Sequence, residues 1–366
     1  MSRIEDLIAE YCPDGVEYKR LGDVCKIKNG KDYKHLSAGD IPVYGSGGVM
    51  DVRVDTSVYD RPTVLLPRKG SIANVFYVDG PFWNVDTIFY TVIDEEQVIP
   101  RYLYHVMMNA HIENYSTGSA ARPSLTQSAL NKIEIPVPPL PVQEEIVRIL
   151  DSFSSLEAEL EAELEARRKQ YAYYRDQLIR DCPSIRWIPL SEISENCDKS
   201  RKPIKKEKRI AGKTPYYGAS GVVDYVDGFT HEGDYLLLSE DGANLLARSM
   251  PIAYQISGRN WINNHAHVLR IENANLRQLV EMYLNSISLE PYITEGAQPK
   301  LTKQRMETIA VPVPSEDDLS RIVEMLTKFY ALTTSLTDGL PAEIEARRKQ
   351  YEYYRDRLLS FDELAV

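Results

Sequence analysis

The stretch Glu165-Ala-Arg-Arg-Lys-Gln-Tyr-Ala-Tyr-Tyr-Arg-Asp-Gln-Leu-Ile179 recurs 180 residues later as Glu345-Ala-Arg-Arg-Lys-Gln-Tyr-Glu-Tyr-Tyr-Arg-Asp-Arg-Leu-Leu359, with 12 of 15 positions identical. Fainter echoes keep the same order: Pro42-Val-Tyr-Gly-Ser-Gly-Gly48 with Pro215-Tyr-Tyr-Gly-Ala-Ser-Gly221, Ile135-Pro-Val-Pro138 with Val311-Pro-Val-Pro314, and Cys12-Pro13 with Cys182-Pro183. Self-similarity at a fixed spacing is typical of a duplicated architecture. The chain is therefore predicted to be two copies of one unit of about 180 residues, each with a diverged body and a nearly invariant tail.

The tail of each copy has the pattern of a long helix. Apolar residues step mostly by three and four from Ile146 to Leu178 and again from Ile322 to Leu358, which indicates a coiled-coil seam. We expect the two helical stretches to pack antiparallel. Gly339 and Pro341 interrupt the second stretch and predict two helices there. The first stretch is predicted to be a single rod of roughly 57 Å, at ~1.5 Å per residue, which exceeds one turn of DNA at ~34–36 Å.

The bodies carry mixed strand and helix patterns. In the first copy Thr63–Leu66, Val75–Val78 and Thr87–Val92 are predicted strands, and Pro100 opens a helix that continues to about Asn109. The second copy repeats the order with strands at 235–238, 252–256 and 268–271 and a helix near 276–286. The prediction is an α+β fold, in which two tandem α/β domains are joined and separated by two long antiparallel coiled-coil helical regions with pseudo-twofold symmetry.

Composition narrows the class of protein. The 366 residues carry a net charge of -11, 43% are hydrophobic and 27% are charged, values typical of a soluble globular chain. No apolar run approaches the ~18–20 residues of a membrane helix, and the first residues lack a signal-peptide core. The four cysteines form no CxxC pair, so reduced buried thiols are expected. These features predict a cytoplasmic protein without membrane contact.

Motifs of catalysis do not stand out. Gly212-Lys213-Thr214 resembles the end of a phosphate-binding loop, but Glu207 occupies the place of the required glycine. The Asn/Asp-Pro-Pro-Tyr/Phe motif expected of an adenine methyltransferase is missing. His265 and His267 alternate on a predicted strand without a third ligand in a known pattern, which favours hydrogen bonding or phosphate contact over a metal site. We therefore predict no catalytic residue and no metal.

Basic and polar loops favour nucleic acid as a partner. Eight cations lie between Lys199 and Lys213 with only Glu207 against them, and a weaker run, Lys26 to Lys34, precedes the equivalent turn in the first copy. Such a stretch is either a solvated loop or disordered arm, or a loop that contacts phosphates without reading sequence. Arg68-Lys69-Gly70-Ser71 corresponds to Ser239-Glu240-Asp241-Gly242 with inverted charge, so the two bodies should read different bases. Each polar loop at 118–126 and 296–302 carries one cation shortly before Leu-Thr. The predicted DNA-binding residues are Lys31, Tyr44, Ser46, Arg68, Lys69, Ser71, Arg122, Ser124, Lys202, Lys205, Lys206, Lys213, Tyr217, Ser220, Asn244, Gln298, Lys300 and Lys303.

These features resemble the specificity (S) subunit of a type I restriction-modification system along the whole chain. The resemblance rests on Ile135-Pro-Val-Pro-Pro-Leu-Pro-Val-Gln-Glu-Glu-Ile146, the repeated tail, Gly296-Ala-Gln-Pro-Lys-Leu-Thr302 and Gly339-Leu-Pro-Ala-Glu-Ile344. The chain departs from the family pattern at its unbroken, Glu-rich first tail. It departs again at Ser315-Glu-Asp-Asp318, which replaces a second Pro-Leu-x-Gln segment.

The resemblance implies a specific organisation. Residues 1–141 and 181–315 would be target recognition domains, each reading half of a bipartite site in double-stranded DNA, and residues 142–180 and 316–360 would be helical spacers that set the gap. The spacers would dock two modification subunits through Arg167, Arg168, Tyr171, Tyr174, Arg347, Arg348, Tyr351 and Tyr354.

The resemblance also implies that this chain binds no cofactor itself. S-adenosylmethionine would belong to the modification subunits, and ATP and Mg²⁺ to restriction subunits that the complex can recruit. Two alternatives remain open at this point: a stand-alone DNA methyltransferase or nuclease with an unrecognised active site, and a coiled-coil scaffold without a DNA role.

Overall fold

The computed structural model describes residues 3–117, 123–294, 298–335, 337 and 339–364. The chain forms two compact units. Unit 1 combines residues Met1–Ala162 with Ala342–Val366, and unit 2 comprises Glu163–Pro341. Within the described residues, no helix is long and apolar enough to cross a membrane.

Unit 1 holds the first body, whose strands alternate with short helices. Its helices are α1 (Arg3–Tyr11), α2 (Leu21–Val24), α3 (Pro100–Asn109) and α4 (Gln127–Leu130). Its strands are β1 (Glu17–Arg20), β2 (Cys25–Asn29), β3 (Ala38–Gly45), β4 (Gly48–Val54), β5 (Thr63–Pro67), β6 (Phe76–Val78), β7 (Trp83–Asn84), β8 (Ile88–Ile93) and β9 (Glu134–Val137). The three strands and the helix predicted for this body are thereby confirmed.

The strands of unit 1 form three small sheets. Their orders are β2-β8-β5-β6, β4-β3-β7 and β1-β9. Strand β5 lies second from the edge and is buried along its whole length, as its continuous apolar run requires. The hairpin of β3 and β4 turns where Gly45 pairs with Gly48, and Gly48 has a φ of 108°, a conformation that glycine adopts without steric cost. The repeated glycines thus form the turn of this hairpin.

Both units share helix α5 (Leu140–Arg180), a single element of 41 residues. The rod predicted for the first tail is therefore continuous. Its residues up to Ala162 belong to unit 1, and those from Glu163 onward belong to unit 2.

Unit 2 repeats the frame of the first body. Its strands are β10 (Arg186–Pro189), β11 (Glu195–Asn196), β12 (Ala211–Gly218), β13 (Gly221–Val226), β14 (His231–Glu232), β15 (Tyr235–Ser239), β16 (Ala253–Ile256), β17 (Arg259–Ile262), β18 (Ala266–Arg270) and β19 (Ala310–Val313). Its helices after α5 are α6 (Leu190–Ile193), α7 (Asn244–Ala247), α8 (Ala274–Leu284), α9 (Lys303–Glu307) and α10 (Glu316–Thr334). The sheets are β11-β18-β15-β16, β13-β12-β17-β14 and β10-β19. The order predicted from the repeat is confirmed.

The second tail is broken, as Gly339 and Pro341 predict. Helix α10 ends at Thr334, and α11 (Leu340–Leu358) begins just before Pro341. A Cβ on Gly339 would lie 2.8 Å from the carbonyl oxygen of Ala331, so the chain can approach α10 this closely only with glycine. Ser315 caps α10 by accepting a hydrogen bond from the Asp318 amide.

The helices pack antiparallel within each unit, as expected. In unit 1, α5 contacts α11 through Phe153 with Tyr354 and through Glu161 with Arg348, so rising numbers on one helix meet falling numbers on the other. In unit 2, the later part of α5 contacts α10, where Tyr171 meets Tyr330 and Tyr174 meets Phe329. Each unit therefore joins one body to tail segments from both copies of the repeat.

The segment after α11 docks beside the start of β1 in unit 1. The Val16 amide donates to the Asp362 carbonyl at 2.9 Å, and the Tyr18 hydroxyl donates to the Phe361 carbonyl at 3.0 Å. Leu358 and Leu359 are buried in the same hydrophobic core as Val16. In unit 2 the chain simply continues from α5 into β10. In unit 1, α11 and β1 are joined in the corresponding way without a covalent link, because the residues after α11 dock onto β1.

Candidate nucleic-acid interface

Three loops converge at one edge of unit 1. They are the turn between β3 and β4, the loop after β5 and the segment before α4. Asn74 donates from its side chain to the Ser46 carbonyl at 3.0 Å, and the Ser46 amide donates to Thr87 Oγ1 at 3.2 Å. The Leu125 amide donates to the Arg68 carbonyl at 2.8 Å, which ties the third loop to the second. The sequence had singled out these three loops separately, and the tertiary structure brings them together.

Unit 2 joins the second and third of these loops by the same main-chain bond. The Leu301 amide donates to the Glu240 carbonyl at 2.7 Å, as Leu125 does to Arg68. Asp241 forms a β-bridge with Lys300, where unit 1 has a bridge of Lys69 with Ser124. Position 68 therefore corresponds to 240, 69 to 241, and 124 to 300.

This correspondence corrects one reading of the sequence. The cations Arg122 and Lys300 had been matched as the single charge shortly before Leu-Thr. The bridges instead match Lys300 with Ser124. Arg122 itself lies outside the described residues.

The second loop carries opposite charge in the two units. In unit 1, the Lys69 ammonium lies 3.2 Å from the Asp86 carboxylate, and Arg68 donates to the Asp86 carbonyl at 3.3 Å. The side chain of Lys69 remains half exposed. Unit 2 has Glu240 and Asp241 at the matching positions, where the Glu240 carboxylate is buried in ion pairs and the Asp241 carboxylate lies 2.9 Å from His265. One backbone frame thus carries cationic side chains in one unit and carboxylates in the other.

A buried ion-pair network underlies the loops of unit 2. Arg201 contacts Asp198 at 3.2 Å and Glu240 at 2.5 Å, and Lys300 contacts Glu240 at 2.9 Å. Both nitrogens of the buried His267 are used: Nδ1 lies 2.7 Å from Asp198 and Nε2 lies 2.8 Å from the Leu301 carbonyl. Both partners are oxygen acceptors, so each ring nitrogen lies where it can donate a hydrogen bond.

The network also shifts the acidity of its carboxyls. Burial alone would raise the pKa of Asp198, but the hydrogen bond and charge of His267 hold it below its ordinary value. Burial likewise opposes ionisation of Glu240, yet hydrogen bonds from Arg201 and Lys300 lower its pKa. The hydrogen bond to Glu240 in turn raises the pKa of Lys300.

The same network contains the one group of described residues with metal-like spacing. Donor atoms of Asp198, Glu240 and His267 lie within 4.8 Å of one another. Each carboxylate already accepts hydrogen bonds from cationic side chains, and both imidazole nitrogens face oxygen acceptors. A cation would have to displace Arg201 and Lys300, so this donor set fits an ion-pair network better than a metal.

The basic stretch of unit 2 has two structural arginines and several free lysines. Arg201 belongs to the network, and Arg209 pairs with Asp224 at 2.9 Å and lies 4.3 Å above the Tyr216 ring. Among the described residues, no ion pair or side-chain hydrogen bond reaches the ammonium groups of the remaining cations, which are exposed: Lys199, Lys202, Lys205, Lys206, Lys208 and Lys213. The arginines hold the segment on the body, and the lysines face solvent.

Several predicted site residues have packing roles as well. The Tyr44 ring packs edge-on against Phe82 at 6.0 Å, and the Tyr217 ring stacks on Tyr254 at 5.8 Å. The side-chain amide of Asn244 bonds the main chain of Met250 and so closes its own loop. Lys303 forms an ion pair with Glu307 at 3.5 Å.

The other polar candidates lie at the loop surface. The Ser124 hydroxyl donates to the Thr117 carbonyl at 2.8 Å. Ser71, Ser220 and Gln298 are exposed.

The predicted partner-binding residues have different contacts, and Tyr174 and Tyr354 remain 39% and 36% exposed. The tyrosines at 171, 174, 351 and 354 take part in the helix pairing within each unit, and burial raises the pKa of Tyr171 to about 12. Arg348 pairs with Glu157 and Glu161. Arg167 and Arg347 each pair with the glutamate one turn before, and Arg168 is exposed.

One exposed tyrosine that the sequence did not single out lies at the same place in both tails. Tyr173 is 63% exposed and Tyr353 is 60% exposed, at equivalent positions of the repeat. Each packs edge-on against the next tyrosine, at 5.5 Å and 5.4 Å. The helix face that holds this tyrosine carries the same exposed charged residues in both copies. They are Glu165, Lys169 and Asp176 in the first and Glu345, Lys349 and Asp356 in the second. The repeat shows that Tyr173 and Tyr353 occupy equivalent positions, but only the structure shows that both are exposed.

Comparison with known proteins agrees with this architecture. A family model described as the type I restriction modification DNA specificity domain matches residues 13–166 and 187–346. The chain belongs to this family of type I restriction-modification specificity subunits, which are non-catalytic DNA-recognition subunits. The family membership sets aside the stand-alone enzyme that the sequence alone had left open.

Individual relatives support the same assignment. The specificity subunit of the EcoR124I/EcoR124II restriction enzyme of Escherichia coli is 32% identical, over 99% of this chain and 97% of that relative. A Haemophilus influenzae protein named as a type I restriction enzyme specificity subunit is 37% identical over 184 residues, which span 49% of this chain and 47% of that protein. The crystal structure of an S subunit from M. genitalium has the same fold, with a TM-score of 0.60 and 18% identity over 94% of this chain and 95% of that one.

Proposed function

We propose that each unit reads one half of a bipartite site in double-stranded DNA, and that the helical segments set the gap between the halves. The carrying observation is the opposite charge of two equivalent loops, with the half-exposed Lys69 in unit 1 and Asp241 in unit 2, whereas the buried Glu240 serves the ion-pair network. Arginine and lysine donate to guanine in the major groove, whereas carboxylates accept from the cytosine amino group. Equivalent loops with opposite hydrogen-bonding character suit two different half-sites.

The DNA-binding surface of each unit comprises its converged loops and its lysines. Lys205, Lys206 and Lys213 are exposed cations of unit 2, and such groups position a protein on the phosphate backbone. Lys300 is held by its ion pair with Glu240, so we assign it two roles, stabilising the loop and contacting a base.

We further infer that two copies of one modification subunit bind the tails. The helix face that holds Tyr173 and the helix face that holds Tyr353 have the same residues, exposure and ion pairs. Folding does not require an exposed tyrosine at either place, since the seam is filled by its neighbours. Arg168 and Arg348 flank these helix faces and belong to the same proposed surface.

The proposal assigns no cofactor to this chain. S-adenosylmethionine would be held by the modification subunits, and ATP and Mg²⁺ by restriction subunits where the complex includes them. Because the substrate is genomic DNA, the proposed site of action is the cytoplasm.

An exchange experiment tests the two-reader proposal. Residues 20–135 would be replaced by the matching segment of another type I specificity subunit, and the modified adenines would be mapped by single-molecule sequencing in cells that carry the modification subunits. One half of the methylated motif should change while the other half is kept. A motif that stays the same in both halves would reject the proposal.

Two controls complete this test. Replacement of the tail residues 165–179 by 345–359 should leave both half-sites unchanged. The purified chain alone should neither methylate DNA with S-adenosylmethionine nor cleave it with Mg²⁺, whereas activity of the chain alone would favour the enzyme alternative.

A further inference from the structure

In each unit, one tryptophan clamps the main chain of one lysine. The Lys31 amide donates to the Asn84 carbonyl at 2.9 Å, and its own carbonyl accepts from Trp83 Nε1 at 2.9 Å. In unit 2 the Lys202 amide donates to the Ile262 carbonyl at 3.0 Å, and its carbonyl accepts from Trp261 Nε1 at 2.7 Å. The same two bonds thus hold a lysine from both sides.

The surrounding strands prove the two clamps equivalent. Trp83 pairs in parallel with Val43 on β3, and Trp261 pairs in parallel with Tyr216 on β12. Two residues beyond each tryptophan, an amide donates back to the tyrosine of the Gly turn: Val85 to Tyr44 at 2.9 Å, and Asn263 to Tyr217 at 3.1 Å.

The bodies have diverged so far that the sequence repeat does not show the match between these lysines and tryptophans. Only the short turn motif nearby is recognisable as a repeat. The clamp has therefore been kept while its surroundings changed.

Folding accounts for the clamp but not for the lysine. The bonds use only main-chain atoms of Lys31 and Lys202, which any residue except proline could supply. Both side chains are exposed, and the described residues offer no ion pair or hydrogen bond to either ammonium group. By contrast, Lys69 and Lys300 each lie within ion-pair distance of a carboxylate, Asp86 and Glu240. A free cation held at the same rigid position in both units is available to an external anion.

We propose that Lys31 and Lys202 are a matched pair of anchors for DNA backbone phosphates, one in each unit, and that Trp83 and Trp261 are their positioning residues. The inference rests on the proposed function, because it needs a duplex beside the converged loops. A fixed main chain removes part of the ordering cost when the ammonium meets a phosphate. Since phosphates are the same at every base pair, the anchors would act alike on two unlike half-sites.

The test uses the full chain assembled with its modification subunits and a duplex carrying the motif found by methylation sequencing. Affinity is measured across a salt series for Lys31→Gln, for Lys202→Gln and for the double variant. Each lysine that contacts a phosphate contributes about 0.9 to the slope of log affinity against log salt. Each single variant should make the salt dependence shallower, reducing the magnitude of the slope by about that amount, and the double variant by about twice as much. The methylated motif should stay unchanged.

Matched controls come from exposed lysines elsewhere on each unit. Lys132→Gln in unit 1 and Lys328→Gln in unit 2 remove the same charge from the chain. Both should keep the wild-type slope, so a change confined to Lys31 and Lys202 reports position and not net charge.

The positioning role has its own readout. Trp83→Phe keeps an aromatic ring and removes the N–H that holds Lys31. It should weaken binding to every sequence alike in the wild-type background and have little further effect when combined with Lys31→Gln. A purely structural tryptophan would weaken binding by the same factor in both backgrounds.

The outcomes separate the two proposals. Sequence-selective binding by the wild type, together with an unchanged slope in both lysine variants, would overturn the anchor assignment and leave the proposed function standing. Failure of the wild-type assembly to bind its motif would overturn both. A change of motif in Lys31→Gln or Lys202→Gln would make that lysine a base contact and refute its role as a phosphate anchor.

Discussion

Phe153 and Tyr354 stack with ring centroids 5.4 Å apart and ring planes 21° from parallel. Phe329 and Tyr174 make the matching contact in unit 2, at 5.8 Å. In each pair the phenylalanine lies on the earlier part of one tail and the tyrosine on the later part of the other. The duplicated tails are thus exchanged between the units, and each compact unit depends on both copies of the repeat.

The stacked pair should be energetically coupled. Phe153→Leu and Tyr354→Leu, alone and together, form a double-mutant cycle that denaturant unfolding can measure. Aromatic pairs contribute about 0.5–1.5 kcal/mol beyond the burial of area, so a coupling of that size is expected. The cycle of Phe329 and Tyr174 should give a similar value. Strict additivity in both cycles would show that the rings are only neighbours.

Removal of residues 360–366 should loosen unit 1 selectively. The deletion removes the acceptor of the Tyr18 hydroxyl and the partner of the Val16 amide, each worth about 0.5–1.5 kcal/mol net. Hydrogen exchange at Val16 and Tyr18 should become faster, while the amides of β10 in unit 2 keep their protection. Equal loss of protection in both units would contradict the role assigned to the docked end.

Unit 2 should weaken in acid because of its ion-pair network. Asp198 and Glu240 have pKa values held below their ordinary ones, so they stabilise the fold above the unfolded pKa near 4, and this contribution is lost as pH falls through the folded pKa. Glu240→Gln should be less stable than the wild type at neutral pH and less sensitive to acid below about pH 4. Thermal denaturation across a pH series checks this, and parallel curves for the two proteins would refute it.

The exposed tyrosines should control the stoichiometry of partner binding. Tyr173→Ala and Tyr353→Ala keep a good helix former on a solvent-exposed face, so the fold should be unaffected. Each variant should bind one modification subunit, and the double variant should bind none, as measured by native mass spectrometry. Glu352→Ala, one residue away, is the matched control and should bind two. Full occupancy of the double variant would place the docking surface elsewhere.

Local patterns in the sequence determined the duplication, the order of strands and helices, the glycine turns and the break in the second tail. Each depends on neighbouring residues, through periodicity at steps of two or of three and four and through the conformational limits of glycine and proline. The inversion of charge between the two bodies was also visible, because Gly70 and Gly242 keep their places in the loop.

Only the tertiary structure decided which segments meet. It paired each body with tails from both copies and made Arg201 and Lys300 the ion-pair partners of Glu240. It also matched Lys300 with Ser124, and it showed that Trp83 and Trp261 donate to the carbonyls of two equivalent lysines. These contacts join residues far apart in the chain through main-chain bonds and burial, which leave no periodic trace in a single sequence. The sequence therefore predicts the secondary-structure elements, and long-range packing determines which cations have no carboxylate partner and can bind DNA.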